Sequence, residues 1–104
     1  MRANKKDTNH KQIVAHAQSL GFGTIDVSMM KNFCDEIWIG RNGSVFFIEI
    51  KDGSKSPSKR MLTDGEIGFK NKLKSIGGSW HLIETEKDVN ELWIQTQKEK
   101  NYSH

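Results

Sequence analysis

Hydrophobic residues recur at helical spacing in three segments of the chain and in strand-like patterns in four others. The first helix is predicted to follow a cap at Thr8 or Asn9, to run to about Leu20 and to end at Gly21. Its apolar stripe consists of Ile13, Val14, Ala17 and Leu20. One face of this helix is therefore expected to lie against a core.

Three strand patterns follow the first helix. Residues 22–28 alternate apolar and polar positions and predict a short strand. Residues 34–40 and 44–51 are rich in aromatic and β-branched side chains, which are typical of buried strands. Because only residues 41–43 separate these two segments, the sequence predicts a hairpin.

A second helix is predicted after a polar loop over residues 52–60. Thr63 and Glu66 have the spacing of a capping box, in which each side chain satisfies a free backbone N–H of the other residue. The glycine pair at residues 77–78 ends the helix. Its apolar stripe consists of Phe69, Leu73 and Ile76.

The last predicted elements are a fourth strand over residues 80–84 and a third helix that begins at Thr85 or Glu86. The apolar positions of this helix are Val89, Leu92 and Trp93. The second helix links the third strand to the fourth, and such a crossover makes the two strands parallel. The expected fold class is α/β, with element order αβββαβα and a four-stranded mixed sheet flanked by helices.

The chain of 104 residues is predicted to be a single domain. Its core is expected to span residues 7–95, and residues 1–6 and 98–104 are expected to fray. The single cysteine, Cys34, excludes a disulfide framework and a multi-cysteine zinc site. The net charge of +3 permits a nucleic-acid partner without requiring one.

No apolar run approaches the roughly 20 residues of a transmembrane helix. Residues 1–11 are polar and basic and lack the apolar region of a signal peptide. The sequence therefore predicts a cytoplasmic protein without a membrane partner.

Candidate chemistry is concentrated in Asp35, Glu49 and Lys51. Side chains alternate along a strand, so Glu49 and Lys51 point to the same face at the end of an apolar strand, and Asp35 begins the partner strand. Two converging carboxylates provide the oxygen ligands that Mg²⁺ prefers. Because the chain has 13 acidic residues, an isolated Glu-x-Lys triplet is expected by chance. The alternative is an edge strand whose charges prevent aggregation, and the residues alone leave both interpretations open.

The hairpin register decides whether the carboxylates share a site. A two-residue turn at Asn42-Gly43 would pair Asp35 with Ile50 and place the carboxylates on opposite faces. A three-residue loop over residues 41–43 would instead pair Asp35 with Glu49, with Cβ atoms about 4.5–5.5 Å apart. We predict the three-residue loop, with a positive φ at Gly43 and a negative φ at Asn42.

With these residues in place, the chain resembles the PD-(D/E)xK nuclease superfamily. It is most similar to the small stand-alone nucleases of the virus-type replication–repair group, VRR-NUC, and to their phage relatives. The family motif is an Asp at the end of a loop, a hairpin, and then Glu-x-Lys. The matching segments are Phe-Cys-Asp-Glu-Ile-Trp-Ile-Gly at residues 33–40, Phe-Ile-Glu-Ile-Lys-Asp-Gly at 47–53, Leu-Thr-Asp-Gly-Glu at 62–66, and Asp-Thr-Asn at 7–9.

The resemblance implies a restriction-endonuclease-like αβββαβ core and Mg²⁺-dependent hydrolysis of DNA, with Mn²⁺ as a substitute metal. It implies that Asp35, Glu49 and the carbonyl of Ile50 hold the metal, and that Lys51 is the catalytic lysine. Cys34 stands where the family usually has Pro. Gln12 is the nearest residue to a metal-site Glu of many relatives, and it is interpreted as an accessory ligand of a metal-bound water or, preferably, as a surface residue.

Basic residues near the motif are candidates for binding the DNA backbone, although a solvated basic face is nearly as good an explanation for each. They are Lys55, Lys59, Arg60, Lys70 and Lys74. Three further residues, two acids and one histidine, are candidates for a catalytic role. Glu66 is better explained by the capping box, His10 by a surface or core position, and Asp26 has no Glu-x-Lys hairpin to pair with it.

The predicted function is that of a Mg²⁺-dependent DNA endonuclease that leaves a 5′-phosphate, acts on junction, flap or branched DNA in replication, recombination or repair, and forms a homodimer in a bacterial or phage-infected cell. Two alternatives remain: a catalytically silent nucleic-acid-binding module, and a nuclease subunit that requires a helicase or another replication partner.

Overall fold

The computed structural model of the chain describes residues 8–102, and the side chains of residues 8–97 within that range. Its elements are helix α1 (His10–Leu20), strands β1 (Gly23–Asp26), β2 (Glu36–Ile39) and β3 (Val45–Ile50), a 3₁₀ turn (Pro57–Arg60), helix α2 (Asp64–Ser75), strand β4 (Trp80–Ile83) and helix α3 (Glu86–Tyr102). The predicted order and type of the helices and strands are confirmed. The strands are one to three residues shorter than predicted, and the 3₁₀ turn lies in the segment predicted as a loop.

The four strands form one mixed sheet in the order β1-β2-β3-β4. β1 pairs with β2 and β2 with β3 in antiparallel fashion, whereas β3 and β4 are parallel. The parallel pair is joined by α2, as the crossover rule requires. The predicted mixed-sheet fold class is therefore confirmed.

The hairpin between β2 and β3 has the three-residue loop. Ile39 pairs with Val45, and the N–H of Gly40 donates to the carbonyl of Ser44 at 2.8 Å. Gly43 has a φ of +86°, while Asn42 is not among the described residues with positive φ. Both dihedral predictions are confirmed, since the left-handed residue that closes this type of loop is the glycine.

One face of the sheet packs against α1 and α3. The buried residues of this core are Ile13, Ala17, Phe22, Trp38, Phe46, Ile48, Ile50, Ile83, Val89 and Leu92. Phe22 makes ring contacts with Trp38, Phe46 and Trp93, with centroids 4.9–6.2 Å apart. The stripes predicted for the first and third helices therefore supply the main core.

The other face of the sheet is covered by α2. Phe69 of α2 packs against Phe33 and Phe47, with ring centroids 4.8 and 5.9 Å apart, and Leu73 is buried. The capping box of Thr63 and Glu66 is present. The predicted stripe is wrong at its last position, because Ile76 follows the helix and is 68% exposed.

At the C-terminal end, the backbone of α3 continues to Tyr102, and the fraying of residues 98–104 stays a prediction. Residues 1–7 and 103–104, and with them Asp7 of the motif segment, lie outside the described residues. None of the helices in the described part of the chain has the length and apolar character needed to cross a membrane.

Candidate functional site

The structure brings the carboxyl groups of Asp35 and Glu49 together. Glu49 lies in β3 and is only 2% exposed, and Asp35 immediately precedes β2. Asp35 is near enough to Glu49 to act on it through its charge and as a hydrogen-bond partner. An oxygen of Asp35, Oδ2, also accepts a hydrogen bond from the backbone N–H of Ile50 at 2.8 Å. The Asp35 carboxylate is thus fixed against the end of β3, beside the second acid.

The backbone at Asp35 departs from the simple pairing expected there. Regular pairing between β2 and β3 ends at Glu36 and Ile48, and the N–H of Asp35 donates to the carbonyl of Ile48 at 3.0 Å. On its other side, the carbonyl of Asp35 accepts from the N–H of Val27. Asp35 is therefore not paired with Glu49 in the regular ladder, and its side chain reaches Glu49 from a position held by both neighbouring segments.

Lys51 follows β3 and is mostly buried beside the two acids. Its Nζ lies 3.9 Å from Oε2 of Glu49 and 3.2 Å from Oε1 of Glu66, which lies in the first turn of α2. Glu66 also accepts from the N–H of Thr63 through the same oxygen, Oε1. The sequence interpretation of Glu66 as a cap is therefore correct but incomplete, because the same carboxylate also positions the lysine.

Burial and neighbouring acids perturb this group strongly. Burial, followed by the negative charge and hydrogen bond of Asp35, raises the pKa of Glu49 to about 10. Burial also works to raise the pKa of Glu66. The N–H of Thr63, the ammonium of Lys51 and a hydrogen bond with Glu49 outweigh burial, so the pKa of Glu66 lies below its ordinary value. At neutral pH the cluster accordingly keeps a proton on Glu49 while Glu66 is ionised.

These side chains open into a cleft of about 240 Å³. Asp35, Glu49 and Glu66 lie on its wall, together with the loop that joins β1 to β2. The donor set consists of carboxyl oxygens, which suits Mg²⁺ or Mn²⁺. A divalent cation fits because its charge would compensate the two neighbouring acids, Asp35 and Glu49. Asp35 and Glu49 are the residues that would hold it, and Glu66 is the third acid within the cleft.

Gln12 is not brought to this cleft. Its side-chain amide donates to Oε2 of Glu86 in α3 at 2.9 Å, and both groups line a separate depression near Thr85. The preferred interpretation of Gln12 as a surface residue agrees with this position. We therefore assign Gln12 no part in the acidic site.

The basic candidates differ in how available they are. Lys59 and Lys74 are exposed, and Lys55 is half-buried in the loop after β3. The Lys70 ammonium lies over the ring of Trp80, 4.6 Å from its centroid. Arg60 donates to Glu84 Oε2 and to the Lys55 carbonyl, each at 2.8 Å. Arg60 thus ties the loop to the end of β4, and this partner counts against its predicted role in DNA binding.

Two further residues shape the site without belonging to its reactive group. Cys34 is buried, and burial raises the pKa of its thiol to about 12, so the thiol stays neutral. Asn9 caps α1 without a side-chain bond to the helix. Its amide instead donates to the carbonyls of Lys51 and Glu84, each at 3.1 Å. Asn9 therefore holds the end of β3 against the end of β4, a role that helix-capping patterns do not indicate.

Comparison with solved structures identifies a protein of similar fold. The chain aligns with a solved structure described as a VRR_NUC domain, with a TM-score of 0.60 and 17% sequence identity. The alignment covers 82% of this chain and 94% of that chain. No family profile and no curated protein sequence matches the chain. At this identity the likeness concerns the fold, and it confirms the resemblance at that level: the chain has the fold of a VRR_NUC domain.

Proposed function

We propose that this protein is a Mg²⁺-dependent DNA endonuclease that hydrolyses phosphodiester bonds. The observation that carries the proposal is the convergence of the Asp35 and Glu49 carboxyl groups on the wall of an open cleft, with the Lys51 ammonium 3.9 Å from Glu49. Buried carboxyl groups are costly in a small domain unless they are paired or used. A nuclease of the VRR_NUC type is the activity that this fold and this cluster support together.

In the proposed mechanism each residue has a distinct task. Asp35, Glu49 and the carbonyl of Ile50 would hold the metal, which would supply Lewis-acid chemistry for attack of water on the phosphate. Lys51 lies beside these carboxyl groups, where its ammonium stabilises the negative charge that develops on the phosphate. Glu66 is a positioning residue, because its carboxylate holds the ammonium of Lys51 at 3.2 Å.

The DNA backbone is proposed to run past the cleft along the basic residues Lys55, Lys59 and Lys74. Lys59 and Lys74 are exposed and Lys55 is half-buried, whereas Arg60 already has a carboxylate partner. Lys70 contributes its charge from the adjacent position on α2. A domain of this size has little surface for selecting DNA, so we propose a homodimer that acts on branched or junction DNA.

Cleavage by the purified protein tests this function. Duplex, single-stranded, flap and four-way-junction DNA are incubated with wild type or Lys51→Ala in Mg²⁺, Mn²⁺ or EDTA. Wild type should nick at least one substrate in either metal and none in EDTA. Lys51→Ala should retain DNA binding but lose about 10²–10³-fold in rate, as expected when one group that stabilises transition-state charge is removed.

Lys87→Ala is the matched control, because Lys87 is an exposed lysine of α3, the helix on the opposite face of the sheet from α2 and Glu66. Its rate should equal that of wild type. Metal-dependent DNA binding without cleavage would indicate a silent binding module. Cleavage that appears only when a helicase or replication extract is added would indicate a subunit that requires a partner. Equal rates for Lys51→Ala and wild type would remove the lysine from catalysis.

A further inference from the structure

A second group of ionisable side chains lies outside the proposed catalytic cleft. It consists of His10 at the start of α1, Asp26 at the end of β1 and Glu36 at the start of β2. One potential ligand atom from each residue lies within 4.8 Å of the other two. The group borders a depression of about 640 Å³ whose lining does not include Asp35, Glu49 or Glu66.

The backbone places the two acids side by side. Asp26 and Glu36 are directly paired residues of the antiparallel strands β1 and β2, so their side chains share a face of the sheet. Like charges placed directly opposite each other destabilise a sheet. His10 adds a third polar group here, with Nε2 at 2.8 Å from Oε2 of Glu36.

Burial and surrounding donors fix the geometry of the group. His10 and Glu36 are 5% and 2% exposed, so both polar groups are removed from water. The indole N–H of Trp38 donates to Oε1 of Glu36 at 3.3 Å, and Ser28 donates to Oδ1 of Asp26 through its backbone N–H and its hydroxyl. Such bonds to the second carboxylate oxygen orient ligands at metal sites.

We propose that His10, Asp26 and Glu36 bind a first-row transition-metal ion, with Zn²⁺ as the probe. An imidazole with two carboxylates is a donor set suited to Zn²⁺, whereas the oxygen-only cleft suits Mg²⁺. Asp26 is exposed and gives the ion a path from solvent. The ion would join α1 to the β1–β2 pair. Lys11, an exposed residue, lines the same depression.

Zinc titration of a protein with a disabled cleft tests the proposal. Asp35→Asn is isosteric, and Mg²⁺ in excess occupies any oxygen sites that remain. Calorimetry with Zn²⁺ should show one saturable site, and titration with Co²⁺ should show the visible bands of a low-coordinate ion. The loss of even an outer partner weakens metal sites about 10–100-fold, so adding Asp26→Asn or His10→Gln should weaken binding at least about tenfold.

His16→Gln is the matched control, because His16 lies on the same helix and its Nε2 is bonded to Asn90. Its zinc affinity should equal that of the Asp35→Asn protein. Since Asp26 is exposed, Asp26→Asn keeps the test decisive even where the buried His10 variant does not fold. Unchanged zinc affinity in Asp26→Asn, or no saturable binding in its parent, would mean that the three residues form a hydrogen-bonded group and not a metal site.

Discussion

The clearest consequence of the acidic cleft is the way in which pH should act on the stability of the metal-free protein. Glu49 has a pKa of about 10 in the folded protein, against an ordinary value of 4.5. Between these values the folded state holds one more proton than the unfolded state, so the free energy of unfolding falls as pH rises. The decline is at most about 1.4 kcal/mol per pH unit, or about 3 kcal/mol between pH 6 and pH 8.

Urea denaturation of wild type and Glu49→Gln in EDTA measures this effect. Gln can donate to Asp35 as the protonated acid does, but it does not titrate. The difference in unfolding free energy between the two proteins should therefore shift against wild type as pH rises from 6 to 8. Contributions from the histidines cancel, since both proteins contain them. A shift of up to about 3 kcal/mol is readily measured in a domain whose whole stability is about 5–15 kcal/mol.

Bound metal should remove this pH dependence of the free energy of unfolding. Binding by Asp35 and Glu49 requires both carboxylates to be ionised, so each ion that binds releases about one proton from the cluster. The apparent affinity for Mg²⁺ should then rise about tenfold per pH unit below the pKa of Glu49. Parallel pH profiles for wild type and Glu49→Gln in EDTA would refute the reasoning, because they would mean that Glu49 is already ionised in the folded protein.

Three further outcomes follow from the structure. Lys55→Ala with Lys59→Ala should lower the salt dependence of DNA binding by about 1.8 in logarithmic slope, and an unchanged slope would exclude both lysines from phosphate contact. Gly43→Ala should destabilise the protein by roughly 1–2 kcal/mol, because Gly43 has a φ of +86°. Gly68→Ala, in open space on α2, should stabilise it by about 0.5–1 kcal/mol in the same urea assay, and equal effects of the two would contradict the loop geometry. With its pKa at about 12, Cys34 should react with iodoacetamide far more slowly in the native protein than in urea, and equal rates would mean that the thiol is accessible.

The sequence predicted the fold well because its determinants are local. Gly43 favours a three-residue loop, and the loop fixes the register of a hairpin in which every second residue faces the core. That register brings Asp35 towards Glu49, although the regular ladder ends at Glu36 and Ile48 and the pairing predicted between the two acids is not part of it. The main helical stripes were equally predictable, except at Ile76, where the helix ends before the stripe does.

The rest of the site depends on how the helices and strands pack against one another, which local sequence patterns do not predict. The capping box identified Glu66, but contact with Lys51 requires the position of α2 over the sheet. In the sequence Arg60 resembles a DNA-binding residue, but in the structure its guanidinium is paired with Glu84, which follows β4. His10 has no ligand spacing along the chain, because its partners come from two strands that only the sheet places side by side.

The burial and contacts of Asp35 and Glu49 favour a functional explanation over a purely structural one. Glu49 is nearly completely buried in β3, and the other five residues of this strand are apolar. An apolar side chain would therefore satisfy the fold at that position. A buried ionisable group that stability does not require weakens the domain, and removing one partner of a buried pair leaves the other uncompensated. Asp35 accepts a hydrogen bond from the backbone N–H of Ile50 and lies beside Glu49. The position of this pair is therefore fixed by the end of β3. Rigid placement of two carboxyl groups beside a lysine in an open cleft is what metal-assisted phosphodiester hydrolysis needs, because the site must be organised before the substrate arrives.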